Sequence, residues 1–205
     1  MNSRILSGWL LIVGPLAILT AFLMWPTSAE TAQEELLELA KNPSSSIGVM
    51  ALFITGITLL FCGLSIASRA IDESKWSSLS VVSATLFPLV IPIMMGSVGL
   101  NFGAVRLFET SPESASAIYL TGYHLTDVAD LLMGISFVFF AVALVDQFKD
   151  SLRRGIGFLY LIIGVVHIIS VFAQEDAMDI AAWMGMFIVS IAFGIVVLRA
   201  KASNN

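Results

Sequence analysis

The chain has 205 residues, of which 58% are hydrophobic and only 12% charged, with a formal net charge of −5. A mean hydropathy of +0.93 excludes an ordinary water-soluble domain, and the acidic balance argues against nucleic acid as a partner. A single transmembrane domain, residues 1–205, accounts for the whole length.

Six long apolar segments occupy about residues 8–25, 47–68, 79–100, 128–148, 156–173 and 180–198. At 1.5 Å per residue, segments of about 18 to 22 residues match a hydrocarbon core roughly 30 Å thick. Continuous apolar runs without period-2 alternation satisfy their backbone amides internally as helices, so the expected class is all-α, a polytopic membrane protein with six transmembrane helices. Arg4, Arg69, Lys75, Lys149, Arg153, Arg154, Arg199 and Lys201 flank one side, whereas only Lys41 and Arg106 flank the other. This asymmetry predicts that both termini are cytoplasmic and that the protein is a multi-pass component of the cell membrane. Most carboxylates lie on the opposite flanks, which predicts an acidic outer face. Such a face raises local cation concentration within a Debye length of about 8 to 10 Å.

In chain order, the first apolar run follows Arg4 and precedes Thr27-Ser28-Ala29, which has the look of a signal-peptide cleavage site. The run is longer than a signal h-region of about 7 to 15 residues, so a retained first helix is expected. If it were cleaved, five helices would remain in the same orientation. The following outer loop, 26–46, contains two capping-box patterns, Thr27-x-x-Glu30 and Thr31-x-x-Glu34. Ala29, Ala32, Leu36, Leu39 and Ala40 share one helical face before Asn42-Pro43 stops it, which predicts a short amphipathic helix on the membrane surface or over the bundle. The second segment carries the lone Cys62, which has no partner for a disulfide, and Gly56 and Gly63 on one face. In the third, Pro88-x-x-x-Pro92 removes amide donors near the middle and predicts a bent packing helix ahead of an ion-coordinating break, and Gly96, Gly99 and Gly103 form a small-residue series. Such glycine faces suit packing within the bundle, a membrane-protein partner or a homo-oligomer.

The second outer loop, 101–126, has Ser111-Pro112-Glu113, an N-cap with proline at the first helical position, and predicts a second short surface helix ending near Gly122. The fourth span then starts after Thr126 as its N-cap. In the fifth, Gly157, Tyr160, Gly164, His167, Val171 and Gln174 recur at 3-4-3-4-3 spacing and predict a seam that faces protein.

Ionisable side chains within spans are costly and are the first functional candidates. His124, Asp127, Asp130 and His167 form the candidate group, because the first three lie three residues apart, with Asp127 within about 60° of each of the other two on a helix. His167 lies roughly 10 Å below the outer surface, counted along the rise per residue from Gln174. Adjacent packing of the fourth and fifth spans would bring it to Asp130. The donor types suit a divalent metal such as Zn, Mn, Fe or Cu, with His124 and His167 alternatively as axial haem ligands, or a proton-titrating pair. No diagnostic spacing singles out one cofactor. A purely structural account is also available: after a Thr126 N-cap, Asp127 and Asp130 would stabilise the helix dipole by about 0.3 to 1 kcal/mol, and His167 would simply find a hydrogen-bond partner.

Arg153 opens the run RRGIGFLYLIIGVVHIISVF (153–172), which resembles the fifth-helix entry of a bacterial six-helix integral membrane family of unknown function. The opening MNSRILSGWLLIVGPLAIL and the Asn-Pro before the second span are similar in style. The resemblance implies the six-helix fold and no functional residue. The inner halves of the spans carry no titratable relay, which disfavours a proton pump, and no nucleophile has a base partner. The leading expectation is therefore a non-enzymatic small bundle or accessory subunit. The alternatives are a metal- or haem-binding redox protein with its site on the outer side, and a small-solute or ion transporter.

Overall fold

The computed structural model describes residues 3–25, 29, 31–173 and 176–200. Among these, seven helices and no strand are found: α1 (Ser3–Met24), α2 (Ala32–Lys41), α3 (Pro43–Arg69), α4 (Ser77–Leu107), α5 (Pro112–Gln147), α6 (Ser151–Ala173) and α7 (Asp176–Arg199). All except α2 are long and apolar enough to cross a bilayer. Six apolar helices of this length make the chain a multi-pass membrane protein.

The six long helices form a closed ring in chain order. Each packs on its neighbours in sequence, and α1 closes the circle by packing on both α3 and α7. An even number of crossings puts the start of α1 and the end of α7 on one face, here termed the terminal face; α2 lies on the other. Lipid tails are as apolar as leucine, so the helices associate by close backbone approach rather than by hydrophobic drive. Glycines supply it. A Cβ on Gly14 would stand 2.9 Å from the Gly56 carbonyl oxygen, and one on Gly56 would stand 2.8 Å from that of Gly14. The same reciprocal crossing joins Gly134 to Gly164, and a Cβ on Gly194 would stand 2.8 Å from the Gly8 oxygen. Most of the glycines are therefore consumed inside the ring, whereas Gly99 and Gly103 have open space around them.

Aromatic rings from five helices fill the middle of the circle. Phe137 stacks on Tyr160 at 5.3 Å, and Phe87 lies 5.2 Å from Phe137. Phe61, Phe140 and Phe193 complete the cluster, all buried. Packed side chains fill the ring at the level of this cluster, and a cavity of about 450 Å³ opens beyond it on the terminal face, lined among others by Arg4, Gln147, Arg153 and Phe193.

Serines satisfy the polar groups left by irregularity. Pro88 has no N–H, so the Ala84 carbonyl one turn earlier lacks its helical donor, and the Ser65 hydroxyl on α3 donates to it at 2.7 Å. The helix therefore runs through Pro88 and Pro92 to Leu107 as a packing helix, and the alternative of an ion-coordinating break does not occur. On the terminal face the Asp146 carboxylate accepts from the Lys75 N–H at 2.8 Å and from the Ser74 hydroxyl at 3.0 Å, pinning the α3–α4 turn.

The expected amphipathic helix is α2. Thr31 caps it, accepting from the Glu34 N–H at 3.2 Å, and Asn42 ends it while capping α3 ahead of Pro43. Leu36 and Leu39 are fully buried, because α2 lies over the bundle against α3, α4 and α5. The pattern at Thr27 and Glu30 falls outside the described residues, as do Gln174 and Lys201.

The second expected surface helix is not separate. Residues from Pro112 onward run without a break into the fourth span, giving a helix of 36 residues, about 54 Å at the standard rise and well beyond a 30 Å core. Gly122 does not end a helix. A Cβ there would fall 3.0 Å from the Ser97 carbonyl oxygen, and the Ser97 hydroxyl donates to the Gly122 carbonyl at 2.7 Å. The glycine marks a close approach of α4 and α5, which reads in sequence like a stop signal. Thr126 is likewise no N-cap; its hydroxyl donates back to the Tyr123 carbonyl inside the helix.

Candidate functional site

That continuity changes the standing of Asp127 and Asp130. Both lie in the interior of α5, more than three turns from its N-terminus, so the helix dipole does not account for them.

The structure divides the four candidate residues into two pairs. His124 and Asp127 face solvent or headgroups: their side chains are 67% and 47% exposed, with Nδ1 and Oδ2 3.4 Å apart. Asp130 and His167 are buried, with His167 Nδ1 3.5 Å from Asp130 Oδ1. The crossing of α5 and α6 explains the second meeting. Gly134 is one turn from Asp130 on α5, and Gly164 is one turn from His167 on antiparallel α6. Where the two glycines touch, the next turn toward the α2 face has to bring the larger side chains together.

A third residue joins them from α7. Ligand atoms of Asp130, His167 and Asp179 all lie within 4.8 Å of one another. Asp179 stands four residues before Trp183 on the face of α7 that also buries Phe187 and Ser190. Phe137 stacks on the His167 ring at 6.2 Å and Trp183 meets it edge-on at 5.9 Å, so the imidazole is held from both sides. Yet neither His167 ring nitrogen has a hydrogen-bond partner, nor does Asp130 Oδ1. At 3.5 Å the imidazole–carboxylate pair is too long for a well-formed N–H···O bond, whose usual range is about 2.7 to 3.2 Å. Orphaned buried polar atoms are rare in folded proteins and ask for an explanation.

Asp130 and Asp179 open into a cavity of about 260 Å³ on the α2 face of the ring, lined from α1, α2, α3, α4, α5 and α7. Its walls include Phe22, Trp25, Phe53, Tyr119, Tyr123 and Trp183; Glu35 is a third carboxylate, and among the described residues no basic side chain lines it. The Trp25 indole N–H donates to the Glu35 carboxylate, and the Tyr119 hydroxyl hydrogen-bonds the same side chain. Tyr123, 47% exposed, stands at the rim. His124 does not line this space, so the two histidines do not face each other across a haem-sized gap.

The ring of six membrane-spanning helices, with its carboxylate-lined pocket on the α2 face, defines the class of protein. No protein-family model, curated protein or solved structure matches the chain.

Proposed function

We propose that this protein binds a small cation from the outer side of the cell membrane, in a pocket closed toward the cytoplasm, as a non-enzymatic binding or accessory subunit. The observation that carries this reading is the composition of the 260 Å³ cavity, three carboxylates among aromatic walls with no basic side chain. Aromatic faces and carboxylates both attract cations, and burial in a low-dielectric wall strengthens the attraction. The orientation is supported by the basic residues at the terminal face, which favour that face as the cytoplasmic one. There Glu34, Glu38, Glu109, Glu113 and Asp127 would raise the local cation concentration. The aromatic cluster below the pocket speaks against translocation, since it offers no polar relay. Membership of the six-helix bacterial family suggested by residues 153–172 belongs to the same proposal.

Trp25 and Trp183 line the pocket, so occupancy is readable in tryptophan fluorescence. With the protein purified in detergent, titration with Zn²⁺, Mn²⁺ and tetramethylammonium should give a saturable change for at least one of them. That change should shrink in the Trp183→Phe variant and be lost when Trp25→Phe is added to it. Flat titrations with all three cations would sink the proposal, and so would flux of a bound cation across proteoliposomes.

A further inference from the structure

The orphaned nitrogens of His167 point to a narrower identity for the cation. We infer that Asp130, His167 and Asp179 form a three-ligand site for a divalent transition metal, with Zn²⁺ the best fit. This rests on the reading of the pocket as a cation site and names its occupant.

Four features of the site support a metal. His167 is 0% exposed, and both of its ring nitrogens lack partners. A buried imidazole in that state is stabilised by whatever supplies a well-placed acceptor, donor or metal, and its nearest carboxylate, Asp130, stands at 3.5 Å. Next, two carboxylates within 4.8 Å of each other repel, and a divalent cation between them cancels that repulsion while an imidazole alone cancels half of it at most. The third feature is geometric. Zn–N and Zn–O bonds of about 2.0 to 2.2 Å imply ligand atoms about 3.4 Å apart along a tetrahedral edge, and roughly 3.0 Å apart for cis ligands of an octahedron. The observed 3.5 Å between His167 Nδ1 and Asp130 Oδ1 matches the tetrahedral edge. It is long for a hydrogen bond and right for two ligands of one ion.

The fourth is the way the ring is held. Metal-binding side chains work when a surrounding layer fixes their orientation. Phe137 stacks on the imidazole and Trp183 meets it edge-on, and the Trp183 indole also faces the Asp130 carboxylate. Ca²⁺ and Mg²⁺ are poor candidates, because they take six or more oxygen ligands and do not seek imidazole. One nitrogen and two oxygens suit Zn²⁺, then Mn²⁺ or Fe²⁺. Three protein ligands leave a coordination position open, and Asp130 and Asp179 both border the cavity. That position is available to water or to a small molecule entering from the α2 face.

The experiment uses the full-length protein in detergent, stripped with chelator and titrated with Zn²⁺ by calorimetry. Co²⁺ serves as a coloured substitute whose visible spectrum reports coordination number. One Zn²⁺ per chain is expected, with a four- or five-coordinate Co²⁺ spectrum and a rise in melting temperature on loading. Asp179→Asn, which removes a partly exposed ligand with little change of shape, should weaken Zn²⁺ by more than the 10- to 100-fold that loss of an outer-layer partner costs. Asp127→Asn, outside the cluster, should leave it unchanged. Equal Zn²⁺ affinity in wild type and Asp179→Asn overturns the assignment. So does an octahedral Co²⁺ spectrum unaltered by either change. Absence of Zn²⁺ binding with tetramethylammonium still altering tryptophan fluorescence overturns the metal and spares the pocket; silence to every cation overturns both. Should Asp179→Asn prove unstable, Asp130→Asn read by the Co²⁺ spectrum alone decides the same point.

Discussion

Replacing Gly164 by alanine tests the link between helix packing and the site. A Cβ at this position would lie 2.8 Å from the Gly134 carbonyl oxygen and 3.0 Å from both Phe137 Cβ and Val138 N. Ordinary contact begins at 3.4 Å, so α5 and α6 must move apart by 3.4 − 2.8 = 0.6 Å at the crossing. Because backbone atoms stand on the other side, no side-chain rotation relieves the clash. Overpacking of this kind costs about 1 to 3 kcal/mol. For a chain of this length each kcal/mol moves the melting temperature by roughly 2 to 4 °C, so a fall of about 2 to 12 °C is expected. The separation also acts one turn away, on Asp130 and His167. A metal site tolerates displacements of about 0.2 Å, and 0.6 Å exceeds that threefold, so Zn²⁺ affinity should fall with the melting temperature. Differential scanning fluorimetry and Zn²⁺ calorimetry on the same preparations provide the measurements. Gly155→Ala is the control, since nothing lies within 4 Å of its would-be Cβ; helix propensity alone should make it neutral or stabilising by up to about 1 kcal/mol. If Gly164→Ala behaves like Gly155→Ala in both assays, the proposed coupling between crossing and site is refuted.

Other variants probe the remaining joints. Gly122→Ala puts a Cβ 3.0 Å from the Ser97 oxygen and should destabilise the α4–α5 hairpin by about 1 to 3 kcal/mol, while Gly99→Ala, in open space, should not; thermal denaturation compares them. Ser65→Ala removes the donor to the Ala84 carbonyl and should cost about 1 to 3 kcal/mol. In a Pro88→Ala background the helix supplies its own donor, so the Ser65→Ala penalty should shrink; an unchanged penalty in the double-mutant cycle counts against the pairing. Asp146→Ala frees the Lys75 amide and the Ser74 hydroxyl, so hydrogen exchange at residues 74–75 should quicken while the helix centres keep their protection. For orientation, single cysteines at Tyr123 and at Asp150 in a Cys62→Ser background should react with an impermeant thiol reagent from opposite sides of intact cells, Tyr123 from outside. Labelling in the reverse sense would invert the proposed topology.

Much of the helix inventory was legible because it depends on local chemistry. The capping oxygen of Thr31, the Asn42-Pro43 junction and the Leu36–Leu39 face act within one or two turns, and each does in the structure what its spacing predicts. The α6 seam was also readable, since Gly157, Tyr160, Gly164 and His167 repeat with the helical period, and all four are buried. Errors arose where one local signal has two physical causes. Gly122 and Thr126 look like the end of one helix and the start of another, but a glycine is equally what a neighbouring backbone requires, and threonine can bond back within a helix. Deciding between them needs α4, which lies more than 20 residues away in sequence at Ser97. The site was half legible for the same reason. His167 and Asp130 stood out because charge is costly in a span, but Asp179 near the start of α7 resembled any carboxylate in the first turn of a helix. Its spacing of four from Trp183 was the available clue.

By itself, then, the order of residues determined the solvent, the number of spans and the amphipathic helix, since each depends on transfer free energy and hydrogen bonding within a single segment. Only the tertiary structure decided that the spans close into a ring, that glycine crossings set the helix rotations, and that Asp130, His167 and Asp179 share one space while His124 and Asp127 do not. Rotation of a helix about its axis is governed by interlocking with its neighbours. A few tenths of an ångström of backbone approach at Gly134 and Gly164 place the side chains of the next turn, and that distance is a property of the pair of helices rather than of either sequence alone.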